Sequence, residues 1–183
     1  MRIIAGEFRG RRLKSPADYS IRPTGDKVKE AVFSMIVPFI KDGCTAMDVF
    51  SGSGNLGLEA ISRGVNKVYF SDASKASLKL IKENIAVCGA EDRSVILAGD
   101  FRSNISRVTD KIDFYFLDPP YADGYILPAL DAIIDSGRLS DEGLIICEHD
   151  SHDVLPEEYC GLEAIKIKRY GKTGVTVYRK RIL

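Results

Sequence analysis

Asp118-Pro119-Pro120-Tyr121 closes the apolar run Ile112-Asp113-Phe114-Tyr115-Phe116-Leu117. Two successive prolines fix the backbone and remove two N–H donors, which leaves an acceptor-rich corner. The Asp118 carboxylate and the Pro119 carbonyl can both accept hydrogen bonds, and the exocyclic NH2 of a nucleobase has two to give. Bonds to both protons favour a more pyramidal nitrogen, with its lone pair aimed at an electrophilic methyl group. Tyr121 offers a ring face on which the base can stack. Such chemistry draws its rate from positioning and in-line geometry. An Asp-Pro pair alone reads more simply as a turn with a helix-capping acid, so the reading depends on its surroundings.

Ser51-Gly52-Ser53-Gly54-Asn55-Leu56-Gly57 contains Gly-x-Gly-x-x-Gly after the run Ala46-Met47-Asp48-Val49-Phe50. Glycines there let the chain turn tightly and let a ligand approach a helix N-terminus. Asp72 follows Gly52 by 20 residues, where a carboxylate can accept both ribose hydroxyls. Asp100 ends the next apolar run. These acids could merely cap the helices that follow, but acids are poor strand residues and their recurrence at strand ends points to a ligand edge. Asp48 selects the nucleotide. A pyrophosphate over the loop would be repelled by it, whereas a ligand carrying an ammonium and a sulfonium would be attracted. S-adenosylmethionine is such a ligand. The lysine of a phosphate-binding loop is missing, which argues against ATP.

These residues need a scaffold that brings several strand ends to one edge. Lys67-Val68-Tyr69-Phe70, Val95-Ile96-Leu97-Ala98 and Leu144-Ile145-Ile146-Cys147 are short apolar runs. Helical patterns separate them, around Leu56–Arg63, Leu78–Val87 and Tyr125–Ile134. Strands alternating with helices, each strand a continuous apolar run, predict a parallel sheet covered on both faces. The end of the chain differs. Ala164–Lys168 and Val175–Tyr178 alternate apolar and polar residues around Tyr170-Gly171-Lys172-Thr173-Gly174, which predicts an antiparallel hairpin. At the other end, Gly6 and Gly10 predict a small hairpin or hook. Thr24 is placed to cap a helix bearing Val28, Val32, Met35, Ile36 and Phe39 on one face. The expected organisation is a basic N-terminal extension over 1–23 and a catalytic domain over 24–183.

Charge is unevenly spread over the 183 residues. The net charge is zero, yet residues 1–30 carry eight Lys/Arg against four Asp/Glu, and residues 166–183 carry seven Lys/Arg and no acid. Basic ends around an acidic middle suit a polyanion held at one edge, although a solvated surface would look similar. Apolar runs are too short for a membrane helix and the N-terminus lacks a signal-peptide core, so a cytoplasmic protein is expected. Four cysteines without a Cys-x-x-Cys pair, and only two histidines, predict reduced thiols and no metal site.

Asp118-Pro119-Pro120-Tyr121 resembles the Asn/Asp-Pro-Pro-Tyr/Phe motif of amino-methyltransferases acting on nucleic-acid bases. Met1-Arg2-Ile3-Ile4-Ala5-Gly6, Arg9-Gly10-Arg11, Arg22-Pro23-Thr24 and Asp48-Val49-Phe50-Ser51-Gly52-Ser53-Gly54 resemble the bacterial 16S ribosomal RNA guanine-N2 methyltransferases of the small-subunit type D group. The resemblance runs from residue 1 to the Tyr170-Gly171 hairpin. It implies a class I S-adenosylmethionine-dependent methyltransferase: an α/β, doubly wound, mostly parallel seven-stranded sheet, with an antiparallel C-terminal hairpin and a short N-terminal extension. It implies that Asp72 holds the cofactor ribose, that Asp100 and Phe101 hold its adenine, and that the loop Asp48–Gly54, with Phe50, Ser51, Gly52 and Ser53, holds its methionine part. Thr24 would lie near the cofactor. The group's ribose acid is often Glu, and here it is Asp72, one methylene shorter.

The implied substrate is the N2 amine of a guanine in 16S ribosomal RNA, within a small subunit or an assembly intermediate, met by a monomer. Arg2, Arg9, Arg11, Arg12, Lys14 and Arg22 are the expected RNA contacts, since backbone phosphates supply affinity. Competing readings are an adenine-N6 methyltransferase of DNA or RNA, a nicotinamide dehydrogenase, and a non-catalytic RNA-binding assembly factor. The dehydrogenase leaves Asp48 and the Asp-Pro-Pro-Tyr corner without a role, and the intact corner argues against the third.

Overall fold

The apolar runs become strands of one sheet, and the five parallel strands bring their carboxyl ends to a single edge. The computed structural model describes residues 1–16, 25–120 and 124–181. In chain order the elements are α1 (Asp26–Ile36), β1 (Thr45–Asp48), α2 (Asn55–Ser62), β2 (Lys67–Asp72), α3 (Lys75–Cys88), β3 (Ser94–Ala98), α4 (Phe101–Arg107), β4 (Ile112–Leu117), α5 (Ile126–Ser136), β5 (Leu139–Asp150), β6 (Glu158–Tyr159), β7 (Leu162–Tyr170) and β8 (Thr173–Lys180). Short 3-10 turns follow α1 and precede β3.

The strand order is β3-β2-β1-β4-β5-β8-β7-β6. The first five strands are parallel, β8 runs antiparallel to β5, and β7 and β6 continue antiparallel. Eight strands replace the seven expected. The additional one is the two-residue edge strand β6, paired to β7 through Glu158 with Glu163 and Tyr159 with Leu162. A strand of two residues has no alternation to read. The C-terminal turn is also tighter than expected, because the ladder continues to Tyr170 with Thr173 and leaves only Gly171-Lys172 outside it. Helix α4 is not anticipated by any periodicity in the sequence. Gly25, not Thr24, occupies the N-cap of α1, and Thr24 lies outside the described residues.

Alternation along each strand divides the core in two. Ala46, Phe114, Phe116, Leu144, Ile146, Val175 and Val177 face α1, α2 and the N-terminal hook. Met47, Tyr115, Leu117, Ile145, Cys147 and Tyr178 face α4 and α5. Burying each such large side chain contributes roughly 1.5–3 kcal/mol. Among the described residues, no helix is long and apolar enough to cross a membrane.

The hook is closed by an isolated bridge between Arg2 and Arg12 and by the Ile3 N–H donating to the Arg11 carbonyl. It belongs to the first core. Ile3, Phe8 and Leu13 are all buried there. Gly6 lies against the end of α2 so closely that a Cβ would sit 1.8 Å from the Ser62 carbonyl oxygen. The Ile4 and Ala5 N–H groups donate to the Glu59 carboxylate at 2.8 and 3.1 Å. Glu59 is fully buried and also meets Lys29 at 3.1 Å and Arg63 at 2.8 Å. Lys29, likewise buried, donates to the Arg2 carbonyl and to Asn55 Oδ1. One charged cluster thus joins the hook, α1 and the first turn of α2.

Candidate active site

Parallel strands of equal direction bring their carboxyl ends together, and four of the predicted acids lie at those ends. Asp48 is the last residue of β1, Asp72 the last of β2, and Asp100 follows β3 by one glycine. Asp48 pairs with Phe116 in the β1–β4 ladder, so Asp118 stands just past the end of the adjacent strand. The Val49 N–H donates to the Phe116 carbonyl at 3.0 Å and fixes the two ends relative to each other.

The glycine loop bridges β1 to α2. The Ser51 hydroxyl donates to the Asp48 carbonyl at 2.7 Å, and the Ser51 N–H to the Ser71 carbonyl at 3.0 Å. Gly54 adopts φ +79° at the N-cap of α2, a conformation L side chains rarely take. Gly57 serves packing instead. A Cβ there would sit 2.4 Å from Phe70 Cε1 and 3.0 Å from Val68 Cγ1, so its absence lets α2 lie directly on β2. Gly52 has open space where a Cβ would point. The Ser53 hydroxyl donates to Met1 Sδ, and the Ser53 carbonyl accepts from Asn84 Nδ2.

Asp48 is the electrostatic centre. It is 1% exposed. Its Oδ2 accepts from the Gly57 N–H at 3.0 Å, and its Oδ1 has no hydrogen-bond partner among the described residues. Its pKa is raised to about 7, chiefly by burial and then by the charges of Asp118 and Asp72, against the opposing Gly57 bond. A buried acceptor of this kind calls for a cationic donor. Asp72 accepts from the Gly52 N–H at 2.9 Å through Oδ2 and from the Ser74 N–H at 2.8 Å through Oδ1. A carboxylate has about four acceptor sites, so two of its positions remain for hydroxyls. Asp100 caps α4, with Oδ1 accepting from the Arg102 and Ser103 N–H groups. The capping account anticipated in the sequence therefore holds for this acid, and its exposed side chain still borders the edge.

Aromatic rings stand beside Asp100. Phe50 and Phe101 lie 5.1 Å apart, and Tyr125 stacks on Phe50 at 5.9 Å. Phe101 is buried, while Phe50 and Tyr125 are half-buried. The arrangement fits S-adenosylmethionine: Asp48 Oδ1 for the ammonium, Asp72 for the ribose, and the Phe50–Phe101 wall for the adenine. Asp118 is half-buried, Pro119 is buried and Pro120 is exposed. Tyr121, Arg22 and Thr24 lie outside the described residues.

The expected RNA-contacting residues divide by their engagement. Arg2 pairs with Asp26 at 3.2 Å and Lys14 with Glu83 at 3.0 Å. Arg11 donates to the Val87 and Cys88 carbonyls at the end of α3 and lies over the Phe8 ring. Arg9 and Arg12 are exposed.

Several supporting residues escape sequence reasoning. Asn84 is fully buried, donates to the Lys14 and Ser53 carbonyls and accepts from the Lys14 N–H. Asn104 donates to Ser71 Oγ and to the Leu97 and Gly99 carbonyls, tying β2 to the turn before Asp100. A polar residue on the apolar face of a helix is the one signal that marks them. Tyr125 carries no such signal.

Known proteins resemble this chain over nearly its whole length. The family model described as conserved hypothetical protein 95 matches residues 1–179. YlbH of Bacillus subtilis is 36% identical over 99% of this chain and 100% of that protein. Ribosomal RNA small subunit methyltransferase D of Escherichia coli K12 is 31% identical over 98% of this chain and 90% of that enzyme. The solved structure of yhhF from Escherichia coli superposes with a TM-score of 0.88 at 28% identity, covering 99% of this chain and 98% of that one.

Proposed function

The chain belongs to the conserved hypothetical protein 95 family, and from that premise we propose that it transfers a methyl group from S-adenosylmethionine to the exocyclic N2 amine of a guanine in 16S ribosomal RNA. The name of the Escherichia coli relative supports the RNA as substrate. The observation that carries the chemistry is the placement of Asp118-Pro119 beside the buried Asp48, at the edge shared with Asp72 and Asp100.

S-adenosylmethionine supplies, when bound, a methyl group made electrophilic by its sulfonium. Every other task falls to the chain. Asp48 Oδ1 accepts from the ammonium, and Asp72 holds the ribose hydroxyls against the Gly52 backbone. Phe50 and Phe101 cover the adenine and exclude water from it. Asp118 and the Pro119 carbonyl accept the two N–H bonds of the guanine amine and aim its lone pair across the sheet edge. Tyr121, two residues after Pro119, receives the stacking role. The product amine carries an extra proton, for which the Asp118 carboxylate is the nearest assigned acceptor. Rate in such a site comes from alignment, with effective molarities that reach about 10⁵–10⁸ M in well-oriented systems.

The test is product identification. Purified protein, labelled S-adenosylmethionine and small subunits from cells lacking the enzyme are incubated, and the RNA is digested to nucleosides. N2-methylguanosine in 16S RNA is expected. N6-methyladenosine would replace the guanine reading with the adenine one, and no transfer would remove the catalytic reading.

A further inference from the structure

The seven cations of residues 166–183 fall into two groups that the fold separates. Arg179 pairs with Glu163 at 2.7 Å, Lys180 with Asp141 at 2.8 Å, and Arg181 with Glu158 at 2.9 Å. Lys166, Lys168, Arg169 and Lys172 are all exposed, and none forms an ion pair among the described residues. No acid occurs anywhere between Lys166 and Arg181. A surface serving only solubility mixes its signs.

Topology decides where each group lies. β8 begins at the carboxyl end of β5, because Thr173 pairs with Asp150, and it ends near the opposite edge, where Arg179 pairs with Leu144. The paired cations therefore sit at the far edge of the sheet. The turn Gly171-Lys172 sits at the near one. The Lys172 carbonyl accepts from the Ser151 N–H at 3.0 Å, just beyond that end of β5. This is the edge on which Leu117 pairs with Cys147 and on which Asp118 follows. Lys168 is opposite Val175 and Arg169 opposite Gly174, two residues and one residue from the pairing that ends at Tyr170. At about 3.4 Å per residue, β7 runs about 14 Å from Lys166 to Tyr170 toward the reaction edge, with Lys166 and Lys168 on the face of Val177 and Val175, Arg169 on the opposite face and Lys172 in the turn.

These cations are open to a large partner. β6 covers β7 only at Leu162 and Glu163, so among the described residues no strand lies outside Ile165–Tyr170. The N-terminal hook offers less. Arg2, Arg11 and Lys14 are each held by groups of the fold, which leaves Arg9 and Arg12.

We propose that the β7–β8 hairpin is the principal docking edge for the phosphate backbone of the RNA substrate, through Lys166, Lys168, Arg169 and Lys172. The proposal rests on the ribosomal RNA reading above. It assigns affinity to a surface remote in sequence from both the motif and the hook, three strands from Asp118 in the order β4-β5-β8-β7. The alternative role for lysines on an open strand is to prevent edge-to-edge association.

The experiment compares three variants with wild type. One carries Lys166→Gln, Lys168→Gln, Arg169→Gln and Lys172→Gln together. The second carries Glu at the same four positions, which keeps the edge charged but repels phosphate. The third carries Arg179→Gln, Lys180→Gln and Arg181→Gln. Binding to unmethylated small subunits is measured at several salt concentrations, with S-adenosylmethionine titration and sedimentation alongside. The Gln variant should bind particles at least tenfold more weakly near physiological salt. Its salt slope should be shallower by roughly 0.7–0.9 for each phosphate no longer neutralised. The Glu variant should bind more weakly still, remain monodisperse, and bind cofactor as wild type does. The third variant should change the slope by less than the share of a single phosphate. An unchanged slope in the Gln variant overturns the docking assignment, as does self-association of the Gln variant while the Glu variant binds RNA normally. Wild-type protein that methylates and binds while all variants match it overturns the docking alone. Wild-type protein that neither binds nor methylates the particle overturns the substrate reading with it.

Discussion

Asp48→Asn tests the electrostatic account of the site most directly. The carboxyl is 1% exposed, with Oδ2 bonded to the Gly57 N–H and Oδ1 unpartnered among the described residues. Its pKa is raised from 3.8 to about 7, first by burial and then by Asp118 and Asp72, against the Gly57 bond. For an acid raised in the folded state, the native protein holds a proton that the unfolded chain has released. This contribution is neutral below about pH 4. It then becomes progressively destabilising as pH rises to about 7, and is constant above that. Three pKa units at about 1.4 kcal/mol each make the full effect about 4 kcal/mol. Asn cannot ionise, keeps an oxygen for the Gly57 N–H, and removes this pH dependence. Urea unfolding of the cofactor-free protein at intervals from pH 5 to 8 measures it. The difference between wild type and variant reports Asp48 together with its coupling to Asp118 and Asp72, and the variant should gain relative stability as pH rises. The reverse holds for ligand binding. The ammonium of S-adenosylmethionine favours the ionised carboxyl, so wild-type affinity should increase from pH 6 to 8, with protons released on binding. Asn should bind more weakly and without that pH slope. Parallel stability curves for the two proteins across the whole range would refute the reasoning.

Asp118→Asn keeps one acceptor oxygen for the amine and should retain more turnover than Asp118→Ala, with cofactor affinity altered only slightly in either. Equal, near-wild-type rates in both would remove Asp118 from the chemistry. Gly57→Ala should cost about 1–3 kcal/mol in urea unfolding, because its Cβ would meet the buried Phe70 ring at 2.4 Å. A variant at least as stable as wild type would show that α2 lifts freely from β2. Glu59→Gln leaves the Lys29 ammonium buried without its counter-charge, and about 3–5 kcal/mol should be lost. Adding Lys29→Met should recover part of this, and a single-variant loss under about 1 kcal/mol would contradict the buried-pair account.

The strand ends are legible in the sequence because two signals coincide there. A run such as Val68-Tyr69-Phe70 can be nothing but interior strand in an alternating pattern, and an acid closing it breaks strand preference. The same logic places Asp72, Asp100 and Asp118 on one edge, whereas Asp48 reads as lying inside the run Ala46–Phe50 and proves to end β1. Helix α4 is not legible. Only Phe101, Asn104 and Ile105 of its seven residues are buried, too few to show a 3.6-residue period. β6 is too short for any period. Lys29 and Glu59 resemble ordinary charges on amphipathic helices, and what buries them is the backbone of the hook, which carries no side-chain signature. The basic character of both chain ends is visible in composition, but its division is not. Only the fold shows which cations face acids.

That division follows from how the glycine loop is held. Ser51–Gly54 has little apolar surface of its own, so its shape depends on polar anchors. Asn84 links the Ser53 carbonyl to both backbone groups of Lys14. Asn55, the first residue of α2, accepts from Lys29, which also holds Arg2 and Glu59. Each anchor draws the hook inward, with Ile3, Phe8 and Leu13 in the core beneath the loop. Its cations then meet the charges and carbonyls nearest them: Asp26, Glu83 and the end of α3. A segment so engaged is suited to stiffening that loop. The hairpin has the opposite situation. Its near end is tied to the sheet through β8, the Lys172 carbonyl and the half-buried Tyr170, and its four cations without an acid among the described residues are exposed. Loss of hook residues should accordingly weaken cofactor binding together with stability, whereas loss of the hairpin cations should weaken RNA binding alone.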